Sequence, residues 1–478
     1  MNMPAATPAP VPDPAPAPAE ILARQRAAFL RDGAPGIAER KADLKRLRRT
    51  LIAWRPRIEA AVSADFGHRS RHETATMEIV PTVQGIDYLI RNLRRFMRPR
   101  RRHVAVTMQP GRARVEYQPL GVIGVVAPWN YPVSLAIMPI ATAIAAGNRV
   151  MVKPSEYTPE TSALLVQMLG TVFPPDQVAV ILGDAAVGAA FSGLAFDHLL
   201  FTGSTAVGRA VMRAASENLV PVTLELGGKS PVIMAPGTVN PGNAGKIAFG
   251  KLANAGQTCI APDYALIHES DLDAFCATYD RAVATLYPDG PSGADYSSVV
   301  NDRHFDRLTG LLRDAEAKGA RIVPVGATSP QPRPGAMPPV LVLDATDDMA
   351  VMQQEIFGPI LPVIGYRDID AAIAYVNARP RPLALYYFGD DDAQCRKVLA
   401  GTTSGNVGIN NTLMHYAQDD LPFGGVGPSG MGAYHGIEGF RAMSHAKGIY
   451  RQGRWNGANL LRAPFGRLAD TVLRALLR

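Results

Sequence analysis

Residues 121–152 read GVIGVVAPWNYPVSLAIMPIATAIAAGNRVMV, and the change of period inside this stretch decides the fold. Gly121 to Val126 is a short apolar run closed by prolines at 128 and 132, the pattern of a buried strand rather than a helix. Ser134 to Ala146 is long enough for a helix and stops at Gly147-Asn148, residues that tolerate the left-handed turn ending one. Arg149 to Val152 is short and apolar again. Strand, helix and strand over about thirty residues make a βαβ unit. The alternation continues through a helix near Pro159–Leu169, strands near Val178–Leu182 and Asp197–Phe201, a helix over Thr205–Ala215 and a strand over Val222–Leu226. This predicts an α/β protein with a doubly wound, largely parallel sheet.

A second α/β unit is expected from Ser230. It would hold Val232-Ile233-Met234 as a strand, a helix over Gly242–Ala253, the strand Tyr264–Ile267, a helix over Leu272–Leu286 and strands near Ile322 and Val340. Ahead of both, residues 20–100 carry helical spacing, as in Leu44, Leu47, Leu51 and Trp54. A chain of 478 residues exceeds one ordinary core, so at least two domains are expected.

The first nineteen residues are mostly Pro and Ala with one charge, Asp13; they read as a disordered or polyproline-like tail without the basic start and apolar centre of a leader. With 47% hydrophobic and 19% charged residues, and no apolar run of the roughly 18 residues a bilayer needs, no membrane span is predicted. Three cysteines suit a reducing compartment, and a cytoplasmic location is expected. The net charge of +7 is concentrated in seven arginines between Arg91 and Arg102. With one aromatic, Phe96, and no recognition motif beside them, they read as a solvated helix face or an attractor of an anionic cofactor, not a nucleic-acid site. His68 and His72 are spaced for one helix face but lack the glutamate of zinc hydrolases, so no metal is expected. Leu460–Arg478 is amphipathic and expected to pack on the body or on a partner, membrane contact being the weaker option.

Chemistry is suggested first by Cys259, in Asn254-Ala255-Gly256-Gln257-Thr258-Cys259-Ile260-Ala261-Pro262, where small residues and a proline frame a thiol. A free cysteine is only about 3% thiolate at pH 7, so a nucleophile there needs a base, a helix N-terminus or a cofactor charge. Cys276 and Cys395 have no such frame and read as inert. Glu225 ends an apolar strand before Gly227-Gly228, where it is either a general base or a cap for the glycine turn. Asn130, stiffened by Pro128 and Pro132, is either an oxyanion donor beside the Cys259 backbone N–H or an ordinary turn residue. Phe201-Thr202-Gly203-Ser204-Thr205 runs from strand through a glycine turn into a helix, a weak phosphate signal. Lys153 and Glu156 end a strand and read as ribose ligands or as a surface ion pair.

Together these runs resemble the aldehyde dehydrogenase superfamily over nearly the whole chain after the tail. Glu355-Ile356-Phe357-Gly358-Pro359 and the glycine loop at 422–432 join the five motifs above in the family's order. Asp65 to Ser70, Cys259 to Tyr264 and Gly430 to Gly436 look like its class 3 branch, especially the bacterial coniferyl aldehyde dehydrogenases. The resemblance implies an NAD-dependent enzyme, NADP also being possible. Cys259 would attack the aldehyde, Asn130 would hold the oxyanion and Glu225 would activate water on a thioester. Glu355 and Phe357 would meet the nicotinamide ribose and ring, Lys153 and Glu156 the adenosine ribose, and Gly203 and Ser204 the pyrophosphate, with Trp129 and Val207 also at the cofactor.

By the same resemblance, residues 20–103 and 119–226 form a Rossmann-like NAD-binding domain and 227–408 a catalytic domain. Residues 104–118 and 409–478 would supply a small β bridging element and the tail, with homodimer contacts near Val104–Gln118 and Gly439–Tyr450. A hydrophobic or aromatic aldehyde is the expected substrate, met by Tyr131, His415 and Tyr416, with His415 suited to a phenol hydroxyl. A coenzyme A-acylating dehydrogenase is the second enzymatic reading, opposed by Glu225, and a non-catalytic binding protein of this family is the third.

Overall fold

The computed structural model describes residues 17–327 and 333–477. Residues 1–16 of the expected tail lie outside the described residues, whereas Pro18 and Ala19 already belong to the first helix, Pro18–Asp32, with the proline in its first turn where a missing N–H costs nothing.

The first sheet takes the strands 178–180, 149–153, 122–126, 198–202 and 222–225 in that order, all parallel, and Gly430–Met431 adds an antiparallel edge. The helix Ser134–Ala146 is buried along its whole length because it is apolar on every side. It packs between this sheet and two helices of the N-terminal layer, Ile37–Ala53 and Val80–Phe96. Each fully buried Ile or Leu there contributes on the order of 2 kcal/mol.

The second sheet has seven strands in the order 321–324, 340–343, 360–366, 264–268, 231–234, 384–388 and 406–409, parallel except at the first pair. A third sheet is antiparallel: Arg112–Pro119 pairs with Arg100–Arg102 on one side and Ser444–Arg451 on the other.

Two details differ from the sequence reading. His68 lies in the turn before a helix that starts at Arg71, so it shares no face with His72; His68 bonds the Ala294 carbonyl at 2.9 Å and His72 faces Asp295 at 3.4 Å. The glycine loop does not only bridge domains, since Gly430 and Met431 pair with Glu225 and Leu224. Among the described residues no helix is long and apolar enough to cross a membrane. No cluster of three or more His, Cys, Asp or Glu side chains among them is placed to hold a metal.

Candidate active site

In a parallel sheet, ligands bind beyond the carboxyl ends of the strands. Here those ends carry Asn130, Lys153, Gly203 and Glu225, and all four line one cavity of about 910 Å³. The second unit closes it with Cys259, Glu355 and Phe357. Trp129, Glu156, Ser204 and Val207 line it too.

Cys259 sits on a forced turn. After the helix Pro241–Leu252 come three left-handed residues, Asn254, Ala255 and Gly256, with φ of 53°, 51° and 75°. A Cβ on Gly256 would lie 2.3 Å from the Gly358 carbonyl oxygen, so only glycine fits. Side chains hold this shape: Asn254 Nδ2 donates to the Asn130 carbonyl at 3.0 Å, and Gln257 Nε2 donates to the carbonyls of Asn254 and Ser298 at 2.9 and 3.0 Å. Asn130 Nδ2 in turn donates to the Gln257 carbonyl at 3.1 Å, so the amide is anchored two residues from the thiol. The backbone N–H groups of Cys259 and Ile260 point at the sulfur.

The electrostatics run against a free thiolate. Burial pushes the Cys259 thiol up, and the Glu355 and Glu225 carboxylates push it further. Neither carboxylate oxygen of Glu225 has a hydrogen-bond partner, and burial raises its pKa well above the ordinary value. This excludes the turn-cap alternative, which needed a bond to the glycine N–H groups. Burial, then Asp263, brings Glu355 up to about 8. Asp263 also accepts from Lys229 at 2.5 Å and from the Ile356 N–H at 3.0 Å, fixing the loop that carries Glu355. Charge to favour the thiolate must therefore arrive with a ligand.

A nicotinamide dinucleotide fits this cavity. At one end Lys153 Nζ meets Glu156 at 2.9 Å; Lys153 is only 3% exposed while Glu156 is exposed, and both line the cavity. In the middle Ser204 caps the helix Thr205–Ser216 by accepting from the Val207 N–H at 3.4 Å, and the helix N-terminus favours phosphate. At the other end Trp129 packs edge-on to Phe357, ring centroids 5.3 Å apart.

The sequence reading missed Arg303, His304 and Arg307, which line the same cavity from the helix Asp302–Ala317. Trp129 packs on His304 at 4.8 Å, and burial, with Arg307 and Arg303, lowers that imidazole to about 4. No motif marks them in the sequence, and only the folded chain brings this helix start to the cavity.

Tyr131, His415 and Tyr416 are not among the residues lining this cavity. Tyr131 and Tyr416 nevertheless lie near enough to Cys259 to feel its charge. Tyr131 is 7% exposed and its hydroxyl meets Thr258 Oγ1 at 2.7 Å, so it backs the nucleophile loop instead of standing at a pocket mouth. Tyr416 faces the Tyr434 hydroxyl at 3.3 Å, and charge on Cys259 and Glu225 bears on both phenols. His415 stacks on Phe423 and lies tilted against Tyr386; among the described residues neither of its ring nitrogens has a hydrogen-bond partner, and burial lowers it to about 4.

A profile of the aldehyde dehydrogenase family matches residues 19–449. The chain is 52% identical to a probable coniferyl aldehyde dehydrogenase of Pseudomonas aeruginosa over 95% of both chains. Among solved structures, the substrate-bound state of Staphylococcus aureus AldH superposes with a TM-score of 0.87 at 35% identity, covering 96% of this chain and 99% of that one. A Mycobacterium tuberculosis aldehyde dehydrogenase complexed with NAD+ gives 0.82 at 29% identity, covering 91% and 90%.

Proposed function

Because the chain belongs to the aldehyde dehydrogenase family, we propose that it oxidises an extended aromatic aldehyde of the cinnamyl type to its acid, with NAD as hydride acceptor and Cys259 as nucleophile. The observation that carries this reading is convergence: thiol, anchored amide and unpartnered carboxyl share one cavity with a capped helix N-terminus and a Lys–Glu pair.

Asn130 Nδ2 and the Cys259 backbone N–H polarise the aldehyde oxygen. Sγ adds to the carbonyl carbon, its proton leaves to solvent, and the oxyanion forms between those two donors. A nicotinamide dinucleotide held by Lys153, Glu156, Ser204 and Glu355 would supply positive charge to the site and a hydride acceptor. The carbon is then a thioester on Cys259. Glu225 as the carboxylate, the form its burial disfavours, takes a proton from water, whose oxygen attacks the thioester and releases the acid with Sγ restored.

Lys153 and Glu156 would take the adenosine ribose, Ser204 and Gly203 the pyrophosphate, and Glu355 the nicotinamide ribose. Glu156 favours NAD, since a 2′-phosphate would meet a like charge; replacing it with Gln should move the kcat/KM ratio toward NADP. Glu225 also supports hydrolysis over acyl transfer to coenzyme A. For the substrate, the similarity to a probable coniferyl aldehyde dehydrogenase supports a flat aromatic ring; Tyr386, Phe423 and Tyr434 are buried core rings on which Tyr416 and His415 pack, and the unpartnered His415 is suited to a phenol hydroxyl. Three free cysteines support a cytoplasmic location.

The test is NADH formation with coniferaldehyde, benzaldehyde, hexanal and succinic semialdehyde. Coniferaldehyde should give the highest kcat/KM, and Cys259→Ala should abolish turnover while NAD still binds. A win for the semialdehyde would overturn the substrate assignment, and turnover by the alanine variant would overturn the mechanism.

A further inference from the structure

The continuous helix from Arg71 to Phe96 contains one π-helical stretch, Thr74–Ile79. In an α-helix, residues five apart project about 140° from each other. The wider π turn, bonded i to i+5, brings them toward one line. Glu73 immediately precedes this stretch and Glu78, five residues on, lies within it, and both feel the charge of the buried Arg69.

Each of the three reaches a different part of the catalytic frame. Arg69 donates through Nη1 to Glu78 at 3.1 Å and to the Asn130 carbonyl at 2.9 Å, its guanidinium lying 5.2 and 4.8 Å from the rings of Phe66 and Tyr131. Glu78 accepts from the N–H groups of Val133 and Ser134 at 2.8 and 3.0 Å, where the helix following Asn130 begins. Glu73 accepts from the Asn254 N–H at 3.0 Å, at the first of the left-handed residues leading to Cys259, and from the Ser297 hydroxyl. None of the three lines the dinucleotide cavity.

The two oxyanion donors come from different units of the chain, so neither large sheet alone fixes the distance between them. We propose that Arg69, Glu73 and Glu78 are positioning residues, a latch assembled by the π-helical turn that holds the Asn130 amide in register with the Cys259 backbone N–H. The inference rests on the oxyanion reading given above. A donor displaced by about 1 Å costs about a hundredfold in rate.

Four variants test it on the full chain with NAD, reading kcat, KM for aldehyde, NAD affinity by fluorescence quenching, and Tm. Glu73→Ala should lower kcat about ten- to a hundredfold with NAD affinity within about twofold of the parent. Glu73→Gln keeps an acceptor for the Asn254 N–H and should restore most of kcat. Arg69→Lys keeps the buried cation, which protects the fold if the truncation fails to fold, but cannot span both acceptors; it should lose kcat in the same selective way. Full kcat in Glu73→Ala or in Arg69→Lys overturns the latch, as does glutamine no better than alanine or a parallel loss of NAD binding. Asn130→Ala separates the two claims. If it keeps full kcat the oxyanion reading falls, whereas if it is slow and the latch variants are not, only the latch falls.

Discussion

Glu225 combines two facts that decide its chemistry: it is 3% exposed and neither oxygen is hydrogen-bonded. A carboxyl in that state keeps its proton above the ordinary range, so the steady-state rate should climb with pH wherever release of the acid limits it. Glu225→Gln should give one rapid stoichiometric burst of NADH in stopped flow and then turn over at least about a hundredfold more slowly. An undiminished steady state would remove Glu225 as the base. Glu355, raised to about 8 by burial and Asp263, binds more protons folded than unfolded between its ordinary value of 4.5 and that value. It therefore contributes stability that is complete below about pH 4.5 and lost as pH rises to about 8. Urea denaturation of the ligand-free protein should show this pH slope flattened in Glu355→Gln. A carboxylate closing an apolar strand was legible from the sequence; its lack of partners was not, because that depends on which side chains the second unit brings near.

The turn carrying Cys259 is an element whose shape can be tested directly. Gly256→Ala would set a methyl 2.3 Å from the Gly358 carbonyl at a φ of 75°. The turn must shift, costing about 1–3 kcal/mol in urea denaturation and most of kcat. Unchanged stability and rate would show that the turn relaxes without moving the thiol. Short strands and the helix Ser134–Ala146 could be read from period alone, since apolar runs and glycine stops are local signals. The π turn could not. Its sequence, TATMEI, has the composition of an ordinary helix, and the one wide turn is held by Arg69, Asn130 and Asn254, residues that meet only when the chain has folded. Arg303, His304 and Arg307 were illegible for the same reason, as a helix start looks alike whether or not a cavity lies beneath it.

At the scale of the whole molecule, the small antiparallel sheet ends on Ser444–Arg451, which pairs with Arg112–Pro119 on one side only. An unpaired edge is a template for a second copy. Light scattering at micromolar concentration should give twice the chain mass, and a monomer or tetramer would contradict the homodimer proposed from the family resemblance. The pairing of Gly430 and Met431 with Glu225 and Leu224 has another consequence. The segment from Leu413 to His435 carries the packed rings of Tyr416, Phe423 and Tyr434 and, near its far end, pairs with the strand that presents Glu225. On the function proposed above, substrate preference and hydrolytic step would be parts of one mechanical piece. An engineer who transplants that segment from a relative to change the aldehyde accepted must move Val222–Glu225 along with it, or the new pocket will arrive with its water-activating group out of place.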